Sequence, residues 1–143
     1  MGTITLGDLS YIAKEVFNKQ YLKKISKESK SILQLMKEMK YIYAIDFDGI
    51  IVSDRFPKIG KPNLKIIKFI KKLNKEGHFI ILWTCRNGKA LKEAIKFCKK
   101  YKIKLDAVNK NLSFIQKKYN SDTRKVYADY YLDDKSLNIS EVL

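Results

Sequence analysis

The sequence has only two cysteines and one histidine. Two thiols are too few for a disulfide framework, and neither Cys85 nor Cys98 sits in a C-x-x-C pair that would suggest zinc or redox work. Both are read as reduced packing residues, and His78, at the start of a strand-like run, as structural. No run reaches the roughly 18 consecutive apolar residues that a spanning helix needs, and the N-terminus lacks the apolar core and small-residue cleavage site of a secretory signal. A soluble, cytoplasmic protein with no membrane partner is the expectation. Acidic side chains are also scarce: fifteen stand against thirty basic ones, a net charge of +15. Such a field draws nucleotides, polyanions or acidic surfaces without naming one of them. The excess is spread, at +4 over residues 1–40 and +11 over residues 41–143, and lysine-rich helix faces are ordinarily solvated surface.

A chain of 143 residues with 45% hydrophobic content can bury one core, not two. From Tyr41 onward, strand-like runs at Ile42–Phe47, His78–Thr84, Ile103–Val108 and Val126–Leu132 alternate with helix-like segments at Asn63–Glu76, Lys89–Tyr101 and Leu112–Tyr119. That order predicts an α/β fold: a Rossmann-like parallel sheet with helices on both faces, over residues 41–143. Residues 1–40 carry two helix-like groups of apolar positions around a polar Ser26–Ser31 stretch, an N-terminal helical extension. Its apolar face could pack on the core, cover the rim of the sheet, or join copies of the chain in a homo-oligomer.

Charge is concentrated where buried strands run out. Asp46 and Asp48 lie at i and i+2 in the run Asp46-Phe47-Asp48-Gly49, and Asp133 and Asp134 follow Tyr130-Tyr131-Leu132. The C-terminal ends of parallel strands form the rim at which open α/β sheets bind ligands. Adjacent carboxylates there are costly without a cation. With no histidine or thiolate at hand, Asp46, Asp48, Asp133 and Asp134 form a hard-oxygen set suited to Mg²⁺. At the end of the second strand, Thr84, Cys85, Arg86 and Asn87 offer a hydroxyl, a guanidinium and backbone N–H groups entering a helix, donors able to hold phosphate oxygens. A cysteine-nucleophile phosphatase loop would need an arginine where Leu91 stands.

These motifs resemble the haloacid dehalogenase (HAD) superfamily in order and spacing. The runs DFDG, FPKIGK, EGHFIILWTCRNG, AVNKN and RKVYADYYLDD are similar to those of small capless HAD-like hydrolases, and similar strand endings occur in deoxynucleotidases and polynucleotide phosphatases. The resemblance covers roughly Tyr43 to Leu137. It implies that Asp46 attacks phosphorus to form an aspartyl-phosphate, that Asp48 protonates the leaving oxygen and then activates water, and that Thr84 bonds the transferring phosphoryl group. It further implies Mg²⁺ bridging the phosphoryl group to Asp46, the Asp48 carbonyl and Asp134, with Asp133 close by. For the family lysine, Lys110 follows the third strand at the catalytic end. Lys125, also a candidate for substrate binding, would begin the last strand some 25 Å from the rim at about 3.3 Å per residue. Ile50 stands where the family most often has threonine.

The function expected is a Mg²⁺-dependent phosphomonoesterase acting on a nucleotide or another small phosphorylated metabolite. Two rivals remain open. One is a nucleotide-binding protein that sequesters its ligand. The other is a polynucleotide end-phosphatase, motivated by the basic charge. A phosphorelay receiver has paired acids as well, but not in the D-x-D-G spacing or with a late acid pair.

Overall fold

The computed structural model of the protein describes residues 33–35 and 38–143. The expected N-terminal extension therefore falls almost wholly outside the described residues. Residues Tyr41–Leu143 form a compact unit.

Four strands, β1 (Ile42–Ile45), β2 (Phe79–Leu82), β3 (Ala107–Val108) and β4 (Tyr130–Leu132), form one sheet in the order β3-β2-β1-β4. Every pairing is parallel. Helices α1 (Leu64–Lys75), α2 (Gly88–Lys100) and α3 (Ser113–Tyr119) fill the crossovers, with a short 3₁₀ turn at Ile139–Glu141. The fold is a Rossmann-like α/β sheet flanked by helices. No helix of the described residues is long and apolar enough to cross a membrane.

The period of two along each strand sorts side chains onto two faces. Ile45, Ile80 and Leu82 meet Ile67, Ile70 and Leu73 of α1 and Ala94 and Cys98 of α2. On the other face Ile42, Ala44, Ile81 and Ala107 meet Leu112 and Ile115 around α3. Gly77, at φ +81°, ends the turn after α1, where a residue lacking Cβ adopts the left-handed conformation at least cost.

The strands are shorter than hydrophobicity predicts. Ile103 and Val126 are buried, yet neither lies in a strand. Before β3, Asp106 takes the place of a ladder residue: its carboxylate accepts from Ile80 N–H at 2.8 Å, and its own N–H donates to the Ile80 carbonyl. Asp129 repeats the device before β4, accepting from Ile42 N–H at 2.8 Å and donating to the Ile42 carbonyl. Apolar residues upstream of each aspartate fill the core without pairing, so a hydrophobic run overstates the strand.

Candidate active site

Strand register assembles the site. Ile45 pairs with both Leu82 and Leu132, so β2, β1 and β4 end at one level and the next residues, Asp46, Trp83 and Asp133, emerge together. Asp46 N–H donates to the Leu132 carbonyl, and Trp83 N–H to that of Ile45. Trp83, not Thr84, is thus level with Asp46, and Thr84 stands one residue beyond. Its hydroxyl accepts from Arg86 N–H at 3.1 Å, while its own N–H is held by the Asn109 side chain at 2.8 Å.

Asp46, Asp133 and Asp134 each bring a carboxylate oxygen within 4.8 Å of the others. Asp46 Oδ1 accepts from Phe47 N–H at 2.7 Å, which orients the carboxyl. Partial burial and, to a smaller extent, the neighbouring Asp133, Asp134 and Asp48 push its pKa up to about 6, against the pull of that N–H. Three hard oxygens with unfavourable mutual repulsion, and no nitrogen or sulfur donor among them, suit Mg²⁺. Gly49 is shaped for the same cluster. At φ +83°, a Cβ added there would stand 2.2 Å from Asp134 Oδ2, so any side chain would displace that carboxylate.

Asp48 does not join the cluster by its side chain, contrary to the expected four-carboxylate set. Arg86 Nε donates to Asp48 Oδ2 and Nη2 to Oδ1, each at 2.7 Å. The remaining guanidinium N–H groups reach the carbonyls of Pro57, Ala90 and Lys58 at 3.0, 3.3 and 2.8 Å. Arg86 is 2% exposed and lies between the rings of Phe47 and Phe56. Its hydrogen bond to Asp48 raises its pKa above the ordinary arginine value. With all five N–H groups used internally, it has none left for phosphate in this arrangement. The expected phosphate ligand instead ties Asp48 to the Ser53–Gly60 loop and to α2. That loop closes on itself where Ser53 and Lys61 exchange bonds at 2.8 Å.

The rest of the predicted set is spread over the rim. Cys98 is buried as expected of a packing residue, but Cys85 is exposed at the rim and packs no core, and Asn87 is exposed as well. Asn87 N-caps α2 without a side-chain bond, and Gly88 beside it has open space where a Cβ would be. Lys110 is exposed and follows Asn109, the residue that holds Thr84, so it stands at the catalytic end. Lys125 does not begin the last strand, contrary to expectation, because β4 spans only Tyr130–Leu132. Lys125 lies in the loop before it, its ammonium 5.4 Å from the Tyr131 ring centre. Ile50, in place of the expected threonine, packs against the core. His78 stays structural: its Nδ1 accepts from Tyr41 N–H at 3.0 Å.

Asn111 has no counterpart in the expected set. It is 1% exposed, donates to Asp122 and Thr123 through Nδ2 and accepts from Tyr127 N–H at 2.7 Å. These bonds hold the loop carrying Lys125, and the Asn111 backbone N–H, donating to Asp122 at 3.0 Å, followed by its Nδ2, depresses the Asp122 pKa. The sequence signal was the run Ala107-Val108-Asn109-Lys110-Asn111 after the third strand.

An all-parallel sheet with an acidic rim at its carboxyl edge defines the class. The solved structure of a conserved protein from Bacteroides thetaiotaomicron is similar to the chain at 34% identity, over 69% of this chain and 79% of that one, with a TM-score of 0.62. The chain belongs to the family of that protein. No family profile and no curated protein matches it.

Proposed function

We propose that the protein is a Mg²⁺-dependent phosphatase of the HAD type, hydrolysing a phosphomonoester through an aspartyl-phosphate on Asp46. The observation that carries this reading is the division of labour at one strand end: Asp46 sits with Asp133 and Asp134, while Asp48 is held apart by Arg86.

With Oδ1 engaged by Phe47 N–H, Oδ2 of Asp46 is the oxygen that attacks phosphorus. An O–P bond forms, the ester P–O bond breaks, and the leaving oxygen takes a proton; water then attacks the acyl-phosphate and regenerates Asp46. A cation held by Asp46, Asp133 and Asp134 would supply positive charge against the phosphate dianion. Thr84 can donate its hydroxyl hydrogen to a phosphoryl oxygen while accepting from Arg86 N–H, and Lys110 supplies a mobile positive charge at the rim.

Asp48 is the acid–base group, and Arg86 its positioning residue. Both Asp48 oxygens accept from Arg86 in the resting arrangement, so drawing a proton from the attacking water requires one of them to be freed. The acid half of the cycle requires the carboxyl to leave Arg86 and take up a proton.

Phosphate release from a panel of phosphorylated metabolites, nucleotides and oligonucleotide ends tests the reading. Release should require Mg²⁺, vanish with chelator, and fall at least about 10³-fold in Asp46→Asn, which keeps the shape of the side chain but cannot attack phosphorus. Full turnover in excess chelator, or by that variant, would refute it.

A further inference from the structure

The basic charge is not evenly laid over the fold. Residues 41–143 carry 22 basic and 11 acidic side chains, a surplus of eleven. Helices α1 and α2 hold ten lysines and a single glutamate, Glu93. Nine of the eleven surplus charges thus stand on two helices that pack against the same sheet face. The other residues of the unit are close to balance. Helix α3 also carries lysine without an acid, but only Lys117 and Lys118, against five lysines on each of α1 and α2.

All ten lysines are exposed. Among the described residues, only Lys72 has a carboxylate within ion-pair distance, Glu76 at 3.8 Å. Helix stability does not account for their placement. Lysine in the last turn, as at Lys72, Lys75, Lys99 and Lys100, complements the macrodipole. Lys65 and Lys89 lie in the first turns, where positive charge opposes it, and neither helix has an acid in that turn.

Direction matters as well. Both helices follow strands out of the catalytic rim and run back beneath the sheet. Leu73 receives His78 N–H just before β2 begins, and Cys98 receives Ile103 N–H ahead of β3. Each row of lysines therefore starts at the acidic rim and leads away from it. At 1.5 Å rise per residue, helices of 12 and 13 residues extend about 18–20 Å, the length of about five phosphates of a stacked strand.

We propose that the outer face of α1 and α2 is a polynucleotide track, along which a nucleic-acid strand lies with its phosphorylated end at Asp46. The binding stands on the charge layout alone; the fate of the end rests on the phosphatase reading above. The track makes a polynucleotide end the substrate class, with free mononucleotides as poorer substrates because they span only its first lysines.

The test is fluorescence anisotropy of the full chain with a labelled single-stranded oligonucleotide of about 20 nucleotides across a salt series. Two triple variants of equal charge are compared. One neutralises the far end of the track, Lys71→Gln, Lys96→Gln and Lys99→Gln. The other neutralises Lys117→Gln, Lys118→Gln and Arg124→Gln, on and after α3. The first should weaken binding at least about tenfold and lower the salt slope by about 2, from about 0.7 per lost phosphate contact on a single strand. The second should change affinity less than about threefold, a distant-charge effect only. Hydrolysis of p-nitrophenyl phosphate by the first variant should match that of the parent. Equal losses in the two variants would overturn the track, leaving net charge as the cause. So would binding to phosphatidylserine vesicles with none to the oligonucleotide, which would make the face a membrane contact. Expected binding without phosphate release from any ester would uphold the track and remove the phosphatase reading instead.

Discussion

Asp46 and Asp48 leave the same strand two residues apart and meet opposite electrostatic fates. Asp48 is matched oxygen for oxygen by a buried guanidinium. Asp46 is half-buried beside two further carboxylates, and its proton is held up to about pH 6, by burial first and by those neighbours second. One corner is satisfied internally and is therefore structural in the resting protein. The other is left in debt to something the chain does not supply, which is the usual condition of a working site.

Breaking the satisfied corner should have the larger effect on stability. Arg86→Ala strips a partly buried carboxylate of its partner and releases three loop and helix carbonyls, at about 3–5 kcal/mol. Adding Asp48→Asn should recover part of that loss, because no orphaned charge remains. A double variant no more stable than Arg86→Ala alone would mean that the carbonyl contacts, not the ion pair, matter at this corner. Denaturant midpoints at constant slope decide it.

The join between the corners is Gly49. Gly49→Ala should cost about 2 kcal/mol from the left-handed backbone alone. It should also push Asp134 out of the cluster and shrink the rise in melting temperature that Mg²⁺ produces. An unchanged Mg²⁺ response would place the cation away from Asp134.

The smallest effect sharpens the unsatisfied corner. Asp46 has its folded pKa raised from 3.8 to about 6. Below about pH 4 the carboxyl is protonated folded and unfolded alike, and contributes nothing. Between those values the unfolded chain gives up the proton first, so the wild type loses stability as pH rises, a loss complete above about pH 6. In chelator, Asp46→Asn should therefore be more stable than wild type at pH 7.5, by on the order of 1 kcal/mol once water screening of this half-buried group is allowed for. At pH 4 that advantage should be absent. Unfolding curves of the two proteins that stay parallel from pH 4 to 7.5 would contradict the raised pKa of Asp46.

Periodicity and strand-end chemistry were enough to read the alternating elements, the parallel sheet and the acidic rim from residues alone. Buried strands need apolar runs and ligand-facing ends need polar ones, so both leave local signals. Strand length was misread because Asp106 and Asp129 end the pairing from across the sheet, through partners 26 and 87 residues away. Arg86 was misread for the same kind of reason. An arginine beside a helix start looks like a phosphate ligand, and only the packed structure reveals that Asp48, 38 residues earlier, and three carbonyls claim it first. Asn111 was passed over because a buried amide is defined by the partners that surround it.

The sequence by itself determined that two strand ends would carry paired acids, Asp46 with Asp48 and Asp133 with Asp134, since composition and local pattern are properties of the chain in order. Tertiary structure decided which carboxylate is paired and which is exposed to its like. It also decided that lysines spread through the sequence collect on one layer, because distance, burial and the sharing of a face exist only once the chain is folded.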